Sequence, residues 1–330
     1  MLKPYPWQSG QWQQILAAHS QKRLSHALLL TGPEGIGLEQ FAYSLAALLL
    51  CKDKQNNVAA CGSCKSCILF QAGNHPDLFD IQPDAPGKQI KVDAIRQLIN
   101  YIHMKSQYAE YKMAIINPAE AMNNNAANAL LKTLEEPPAD SLIILLSTKS
   151  AQLPVTIRSR CQRLNFSAND DETTVVWLRS KLKDQDIDAL DLLTMAQGAP
   201  LKALELLESD SLQQQQSLLN DLDTLRQRAS DPVKMAEKWL AQDGTQVIMY
   251  LLNFFVIMSR LKLGASANNS TVHRHLQRMI KGLDLVQLIH CHNVLLQHYR
   301  GMTGSISLNK QGLLEDFIIH WQTTADQTRG

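Results

Sequence analysis

The sequence predicts an α/β fold in the first half of the chain, with a parallel sheet between helices, and an all-helical second half. Five short apolar runs alternate with segments whose apolar residues recur at helical spacing. The central runs lack polar alternation, which is typical of strands buried on both faces. After Phe166 no further run of this kind occurs. The predicted strands are Ala27–Leu30, Leu78–Ile81, Met113–Ile116, Leu142–Leu146 and Arg163–Phe166, and the predicted helices between them are Leu38–Leu50, Val92–Met104 and Ala126–Glu136. Such alternation indicates a parallel sheet with ligands at the carboxyl ends of its strands.

The second half divides at polar segments. Ser167–Glu172 is a polar connector rich in residues that cap helix N-termini. Gly198-Ala-Pro interrupts the helical pattern once, and Glu208–Ser211 offers a second boundary. Since a domain usually has ~150 residues, the 330-residue chain is expected to hold two or three. We predict domains at 1–166, 167–208 and 209–330.

Composition and charge limit the classes of function. Apolar residues make up 45% of the chain and charged residues 19%, which excludes a disordered polyampholyte. The chain has 32 Lys and Arg and 31 Asp and Glu, which leaves a net charge of +1. This balance argues against a protein that binds DNA or membranes through bulk positive charge. The first 14 residues are unlike a signal peptide. The longest nearly apolar run, Val247–Met258, is shorter than the ~18 residues of a bilayer span. The sequence therefore predicts a soluble cytoplasmic protein.

A glycine-rich turn joins the first predicted strand to the first predicted helix. Gly32, Gly35 and Gly37 fit the glycine positions of a phosphate loop, where backbone N–H groups and a helix N-terminus hold phosphate. The next two positions should be Lys and Ser or Thr, but they are Leu38 and Glu39. Leu38 cannot neutralise phosphate, and Glu39 would bring a like charge to it. Alone, this turn is weak support for nucleotide binding.

The strand Met113–Ile116 also lacks the residues that an ATPase needs. Such a strand normally ends in acidic residues that hold Mg²⁺ and orient the attacking water. Here Asn117 and Pro118 follow the strand, and Glu120 comes three residues after Asn117. Two interpretations remain open from these residues: a strand that never had a nucleotide role, or a nucleotide-binding fold that has lost catalysis.

Four of the six cysteines are crowded into 17 residues, at Cys51, Cys61, Cys64 and Cys67. In a reducing compartment this crowding indicates metal rather than disulfides. A closed set of four thiolates is typical of structural zinc. An iron–sulfur cluster would have its fourth cysteine after the close triplet, typically before a proline, which this sequence does not show. The isolated Cys161 and Cys291 are predicted to be packing residues.

Two further segments carry a family resemblance. They are Asn-Ala-Leu-Leu-Lys-Thr-Leu-Glu-Glu-Pro-Pro at 128–138 and Leu-Pro-Val-Thr-Ile-Arg-Ser-Arg-Cys at 153–161. Together with the degenerate phosphate loop and the cysteine cluster, they closely resemble bacterial DNA polymerase III clamp-loader subunits of the AAA+ class. The resemblance covers residues 5–208 strongly. It is weaker beyond, where 304–310 still resembles the end of the family's collar domain.

The resemblance implies a fold and an assembly. It implies an AAA+ phosphate-loop-type domain with a zinc-binding insertion, then a small helical lid domain and an all-α collar domain that joins the complex. The implied partners are the ATPase motor subunits and the clamp-opening subunit, with the sliding clamp and primer–template DNA reached through the complex. It independently implies Zn²⁺ at the four clustered cysteines.

The departures from the family's motor subunits are informative. Motor subunits have Lys and Ser or Thr where this chain has Leu38 and Glu39, and an acidic pair where it has Asn117 and Pro118. Their sensor arginine aligns with Leu201. The resemblance therefore implies a noncatalytic stator that does not hydrolyse ATP. An active motor ATPase is the alternative. A zinc-dependent nucleic-acid-binding module is disfavoured, because Lys52, Lys54 and Lys65 are its only nearby cations.

Arg160 is the candidate that acts on a partner. The proline of Leu153-Pro-Val-Thr favours a first helical position, so a short helix is predicted to end near Ser159-Arg160-Cys161, at the edge of the sheet domain. By position alone, Arg158 or Arg163 could substitute, or all three could be solvated surface charges. The family resemblance assigns to Arg160 the role of an arginine finger in trans.

Overall fold

The structure of the chain is a computed structural model, which describes residues 2–54, 59–168, 171–182, 187–264, 270–304 and 308–326. Parts of three segments discussed above therefore lie outside the described residues: 55–58 between Cys51 and Cys61, 169–170 in the polar connector, and 305–307 at the weakly resembling end. The chain forms two compact units, 1–168 and 169–330.

The first unit is a five-stranded parallel sheet with strand order β2-β3-β4-β1-β5. Its strands are β1 (Ala27–Thr31), β2 (Leu78–Ile81), β3 (Lys112–Ile116), β4 (Ser141–Ser147) and β5 (Gln162–Asn165). Its helices are α1 (Ser9–Ser20), α2 (Leu38–Leu50), α3 (Lys65–Gln71), α4 (Val92–Ile102), α5 (Asn124–Glu135) and α6 (Val155–Arg158). The predicted α/β class and all five predicted strands are confirmed, with strand boundaries that shift by one residue at most.

Two apolar layers cover the sheet, because successive strand residues point to opposite faces. Leu28 and Leu30 pack with residues of α2 such as Phe41, whereas Ala27 and Leu29 pack with residues of α4 and α5 such as Leu130. Every residue of β1, β3 and β4 is buried, which explains why these runs lack polar alternation. Because all five strands are parallel, their carboxyl ends and the loops that follow them lie along one edge of the sheet.

Helix boundaries differ from the prediction where capping decides them. Helix α5 begins at Asn124 rather than Ala126, because the side chain of Asn123 accepts a hydrogen bond from the backbone N–H of Ala126 at 2.8 Å. Helix α4 ends at Ile102, two residues before the predicted Met104. Pro154 is the N-cap of α6 and not its first helical residue, since its ψ of 140° is extended.

The second unit contains helices around one apolar core in the residues described. They are α7 (Glu172–Lys181), α8 (Ala189–Met195), α9 (Pro200–Glu208), α10 (Ser211–Arg226), α11 (Pro232–Ala241), α12 (Gly244–Lys262), α13 (Thr271–Met279), α14 (Leu285–Thr303) and α15 (Lys310–Asp326). The all-helical second half is thus confirmed. The division at 208/209 stays a prediction, because residues on both sides of it contribute to this single core.

Helix α12 is long and apolar enough to cross a membrane by length and composition, with 19 residues and a mean hydropathy of 1.3. Phe254, Phe255 and Met258 of this helix are buried inside the second unit, where Phe255 packs edge-on against Phe317 and Trp321. This packing is that of a core helix.

Candidate functional site

The turn between β1 and α2 has glycines where packing leaves no room for a side chain. A Cβ on Gly32 would lie 2.7 Å from the carbonyl oxygen of Phe166, and a Cβ on Gly37 would lie 2.6 Å from the ring of Tyr5. Gly35 and Gly37 also have left-handed φ values of 79° and 84°. The glycine pattern of a phosphate loop is therefore required here by the backbone and its neighbours.

The N-terminal segment is bound to this turn. The Trp7 indole Nε1 donates to the carbonyl of Ile36 at 3.0 Å, and the Gln8 amide donates to the carbonyls of Ile36 and Gly37 at 3.0 and 2.9 Å. The rings of Tyr5 and Trp7 are stacked with centroids 4.6 Å apart. Trp12 is buried in the apolar layer on the α2 side of the sheet and Trp7 packs against that layer, so both residues pack the N-terminal region.

Leu38 and Glu39 point to different environments. Leu38, in the position of the phosphate-binding lysine, is 7% exposed and belongs to the apolar layer on the α2 side of the sheet. Glu39 is exposed, and its carboxylate accepts a hydrogen bond from the Asn117 amide at 3.5 Å. The structure thus brings together Glu39 and Asn117, two of the four positions that depart from the ATPase pattern, and neither residue supplies a cation or a magnesium ligand pair.

Glu120 is engaged elsewhere. Its Oε1 accepts hydrogen bonds from the backbone N–H of Thr148, from the Thr148 hydroxyl and from the backbone N–H of Lys149, at 3.1–3.2 Å. This carboxylate therefore ties the loop after β3 to the end of β4.

Leu201, at the position of the sensor arginine, lies in the first turn of α9 in the second unit.

The four clustered cysteines come together. Cys51 ends α2, and Cys64 is the N-cap of α3, the helix that contains Cys67. The sulfur of Cys51 lies 3.6 Å from that of Cys61 and 3.9 Å from that of Cys64, and the sulfurs of Cys61 and Cys67 are 3.8 Å apart. All four ligand atoms lie within 4.8 Å of one another.

These sulfur–sulfur distances fit one tetrahedral metal ion. With Zn–S bonds of about 2.3 Å, the edge of a ZnS₄ tetrahedron is about 3.8 Å. A disulfide would bring two sulfurs to about 2.05 Å, and all four of these cysteines are free. The donor set therefore fits a closed structural metal site with no open position for substrate.

Backbone N–H groups stabilise charge on the cluster. Those of Ser63 and Cys64 lower the pKa of the Cys61 thiol to about 6, which favours its thiolate form. The N–H of Cys64 lies 3.3 Å from the Cys61 sulfur, and the N–H of Cys61 lies 3.3 Å from the Cys51 sulfur. Burial instead raises the pKa of Cys51. A bound cation would favour the thiolate form of every member.

A buried polar network connects the cysteine module to the sheet. The Ser66 hydroxyl donates to the carbonyl of Leu50 at 2.6 Å, and it accepts from the His75 Nε2 at 2.6 Å. The other ring nitrogen of His75 accepts from the backbone N–H of Asp77 at 3.0 Å. These partners assign the neutral Nε2–H tautomer, and burial lowers the pKa of His75 accordingly. The imidazole is thus a structural link between α3 and the start of β2.

The sequence does not predict the contact between Asp77 and Lys112. Both side chains are buried, and the Lys112 ammonium lies 3.2 Å from the Asp77 carboxylate. The sequence shows only that one charged residue stands at the start of each of two apolar strands, and this does not indicate that the two side chains are in contact. Their contacts are structural.

Arg160 lies after α6 and pairs with α5. Its Nε donates to Glu135 Oε1 at 2.8 Å, its Nη2 donates to the same oxygen, and its Nη1 donates to the Thr156 carbonyl at 3.0 Å. The side chains of Arg160 and Glu135 are 33% and 49% exposed. Among the described residues, Arg160 makes no hydrogen bond to the turn after β1.

Cys161 and Cys291 are buried, and burial raises the pKa of each thiol to about 11.

Comparison with known proteins defines the class first. The family model described as "DNA polymerase III, delta subunit" matches residues 7–170, and the model for the C-terminal part of that subunit matches residues 209–323. These two matches place the chain among the DNA polymerase III subunits.

Full-length relatives narrow the identification. The DNA polymerase III subunit delta′ of Pseudomonas aeruginosa is 32% identical, over 96% of this chain and 97% of the relative. That of Yersinia pestis is 30% identical, over 97% and 95%. The chain belongs to the DNA polymerase III subunit delta′ family, which confirms the resemblance seen at 128–138 and 153–161. Among solved structures, a polymerase III gamma subunit-related protein of Thermotoga maritima covers 96% of this chain and 99% of its own, at 17% identity and a TM-score of 0.43.

Proposed function

We propose that this chain is a noncatalytic stator of the polymerase III clamp loader, which assists ATP-dependent loading of the sliding clamp onto primed DNA. The observation that carries the proposal is the state of the turn after β1. The position expected to hold a lysine is occupied by the buried Leu38, and the carboxylate of the neighbouring Glu39 accepts a hydrogen bond from the Asn117 amide. Family membership supplies the assembly in which a subunit without ATPase chemistry would work.

The packing of the turn supports the absence of hydrolysis. Tyr5, Trp7 and Gln8 bind the outer side of the turn through a ring contact and three hydrogen bonds to its carbonyls. These contacts tie the N-terminal segment to the turn. An active motor ATPase, the alternative function, needs a cation and an acidic pair that positions 38, 117 and 118 do not provide.

The four-cysteine cluster is proposed to hold one structural Zn²⁺. The sulfur distances match the edges of a ZnS₄ tetrahedron, and the burial of Cys51 and Cys67 at 3% and 1% exposure favours a closed site. When bound, the ion would join the end of α2 to the start of α3. Its role would be to fix this insertion.

Arg160 is proposed to act on the ATP of a neighbouring motor subunit. A guanidinium is always charged and presents a planar fork to phosphate oxygens, which is what a transferring phosphoryl group requires. Arg160 lies beyond α6 with a third of its side chain exposed.

The helical second unit is proposed to hold a lid at 167–208 and a collar at 209–330, the collar joining the other loader subunits in the cytoplasm.

Reassembly of the loader from purified subunits tests the proposal. We expect that a complex without this chain fails to load clamps on primed DNA, and that adding the chain restores loading. The chain alone should not turn over ATP above a contaminant control. ATP hydrolysis by the single chain, or full loading in its absence, would contradict the proposal.

A further inference from the structure

The contact between Arg160 and Glu135 uses one side of the guanidinium. Nε and Nη2 form the inner fork of an arginine, and both donate to Oε1 of Glu135. Nη1 donates to the carbonyl of Thr156 at 3.0 Å, and the Ser159 hydroxyl lies 3.5 Å from the same nitrogen, at the limit of a hydrogen bond. The guanidinium is therefore fixed at three of its nitrogen groups.

The outer fork of Arg160 keeps donors for a ligand. A guanidinium carries five N–H groups, and those on Nη1 and Nη2 that face away from Nε form a second bidentate edge. Glu135 takes the N–H of Nε and one N–H of Nη2, and the Thr156 carbonyl takes one N–H of Nη1, so one N–H on each of Nη1 and Nη2 is left for a ligand. The Arg160 side chain is 33% exposed, so an anion from outside the chain can reach the guanidinium while the inner fork stays bound.

The position of Glu135 gives no advantage to its own helix. It is the last residue of α5, where an acidic side chain opposes the helix dipole. The helix is held rigidly, because Asn123 caps its start and Leu130 and Leu134 are buried in the layer against the sheet. A carboxylate on such a helix end can set the direction of a neighbouring side chain more accurately than a loop residue could.

We propose that Glu135 is a positioning residue for Arg160, which aims the outer fork of the guanidinium at the phosphate of a neighbouring subunit's nucleotide. The inference rests on the proposed function of Arg160 in trans. It adds that the arginine is oriented by its own chain before the neighbour arrives. Orienting Arg160 in advance lowers the activation barrier, because a free arginine side chain would have to be ordered during the reaction.

A rival role makes the opposite prediction. If Glu135 sequestered Arg160, removal of the carboxylate would free the arginine and raise the ATP turnover of the complex. If it positions Arg160, removal lowers turnover at saturating ATP and leaves KM for ATP nearly unchanged. The sign of the change in kcat therefore separates the two roles.

The experiment compares loaders reassembled with wild-type chain, Glu135→Ala, Glu135→Gln and Arg160→Ala, with Glu136→Gln as the matched control. Glu136 is adjacent and exposed. We expect Glu135→Ala to lower kcat for DNA-stimulated ATP hydrolysis by about tenfold, less than Arg160→Ala does. Glu135→Gln should retain part of the rate, because its amide oxygen can still accept from the inner fork.

The results separate the positioning role of Glu135 from the proposed function of Arg160 in trans. Unchanged or increased kcat for Glu135→Ala, with a large loss for Arg160→Ala, overturns the positioning role and leaves the proposed function standing. No loss for Arg160→Ala overturns both. A loss for Glu136→Gln equal to that for Glu135→Ala would show a general effect of charge and overturn the specific role. Thermal unfolding of each isolated variant shows whether the fold is kept.

Discussion

Lys112 and Asp77 form an ion pair inside the sheet domain, with the ammonium 3.2 Å from the carboxylate and the side chains 4% and 0% exposed. Backbone N–H groups of Gln107, Tyr108 and Ala109 also donate to Asp77, at 2.7–3.1 Å. The carbonyl of Pro76 accepts from Lys112 at 3.0 Å. Because both charges are satisfied, the pair stably joins the entry of β2 to that of β3.

Removing one partner of this pair should be costly. We expect Asp77→Asn to lower the free energy of unfolding by about 3–5 kcal/mol, because Lys112 would stay buried without its counter-charge. The control Asp84→Asn changes an exposed carboxylate and should cost less than about 0.5 kcal/mol. Urea denaturation measures both. Equal costs for the two variants would show that the ion pair is not important for stability.

The same carboxylate predicts a pH dependence. Burial alone would raise the pKa of Asp77, but the N–H donors of Gln107 and Tyr108 and the contact with Lys112 hold it below its usual range. A carboxyl group with a lowered folded pKa stabilises the protein above its unfolded value of about 3.9, and this stability is lost as the pH falls through the folded pKa. Wild-type stability should therefore fall below about pH 4. The difference between wild type and Asp77→Asn should shrink there, and a constant difference would contradict this origin.

Metal content tests the cysteine cluster. We expect one Zn²⁺ per chain by elemental analysis and its loss in Cys64→Ser, whereas Cys291→Ala should keep it. Because the cluster is an insertion between α2 and β2, loss of zinc should increase hydrogen exchange in α3 and leave the strands protected. Absence of zinc in the wild type, or iron in its place, would contradict the assignment.

Restoring only the missing lysine should not create an ATPase. Leu38→Lys would place an ammonium in an apolar layer, so we expect a loss of about 1–3 kcal/mol of stability and no ATP turnover, since Asn117 and Pro118 are unchanged. Leu38→Met should keep the stability close to that of wild type. Turnover by Leu38→Lys above the contaminant control would show that the site has lost only its cation.

Two glycines should respond in opposite directions to alanine. At Gly37 a Cβ would meet the Tyr5 ring at 2.6 Å, and φ is 84°, so Gly37→Ala should destabilise by about 1–3 kcal/mol. Gly10 lies in α1, and a Cβ there would meet nothing within 4 Å beyond its chain neighbours and its own helix backbone, so Gly10→Ala should stabilise by about 0.5–1 kcal/mol. Thermal unfolding midpoints check the signs. A tolerated Gly37→Ala would mean that the N-terminal segment does not hold the turn.

The strands and most helices could be predicted because their signals are local. Continuous apolar runs such as Ile115–Ile116 in β3 lie in strands buried on both faces, and Asn123 explains the earlier start of α5 through a single cap. The cysteine cluster could also be predicted, since three of its members fall within seven residues.

Contacts between residues far apart in the chain could not be predicted. Asp77 and Lys112 are separated by 35 residues, and Glu135 and Arg160 by 25, so no spacing in the sequence connects them. The burial of Leu38 was equally hidden, because the first turn of a helix can face either solvent or the sheet. Such pairs depend on the order of the strands, which sequence patterns do not determine.

We propose that this chain lacks an ATPase site of its own and completes that of a neighbour. The most direct measurement is clamp loading on primed DNA by loaders reassembled with wild-type chain, Arg160→Ala, Arg160→Lys or the exposed control Arg163→Ala. Because an arginine finger is worth about 10³–10⁵ in rate at its site, we expect Arg160→Ala to depress loading and Arg160→Lys to restore little, with Arg163→Ala unaffected. Loading by Arg160→Ala at the wild-type rate, in a fully assembled complex, would contradict the account.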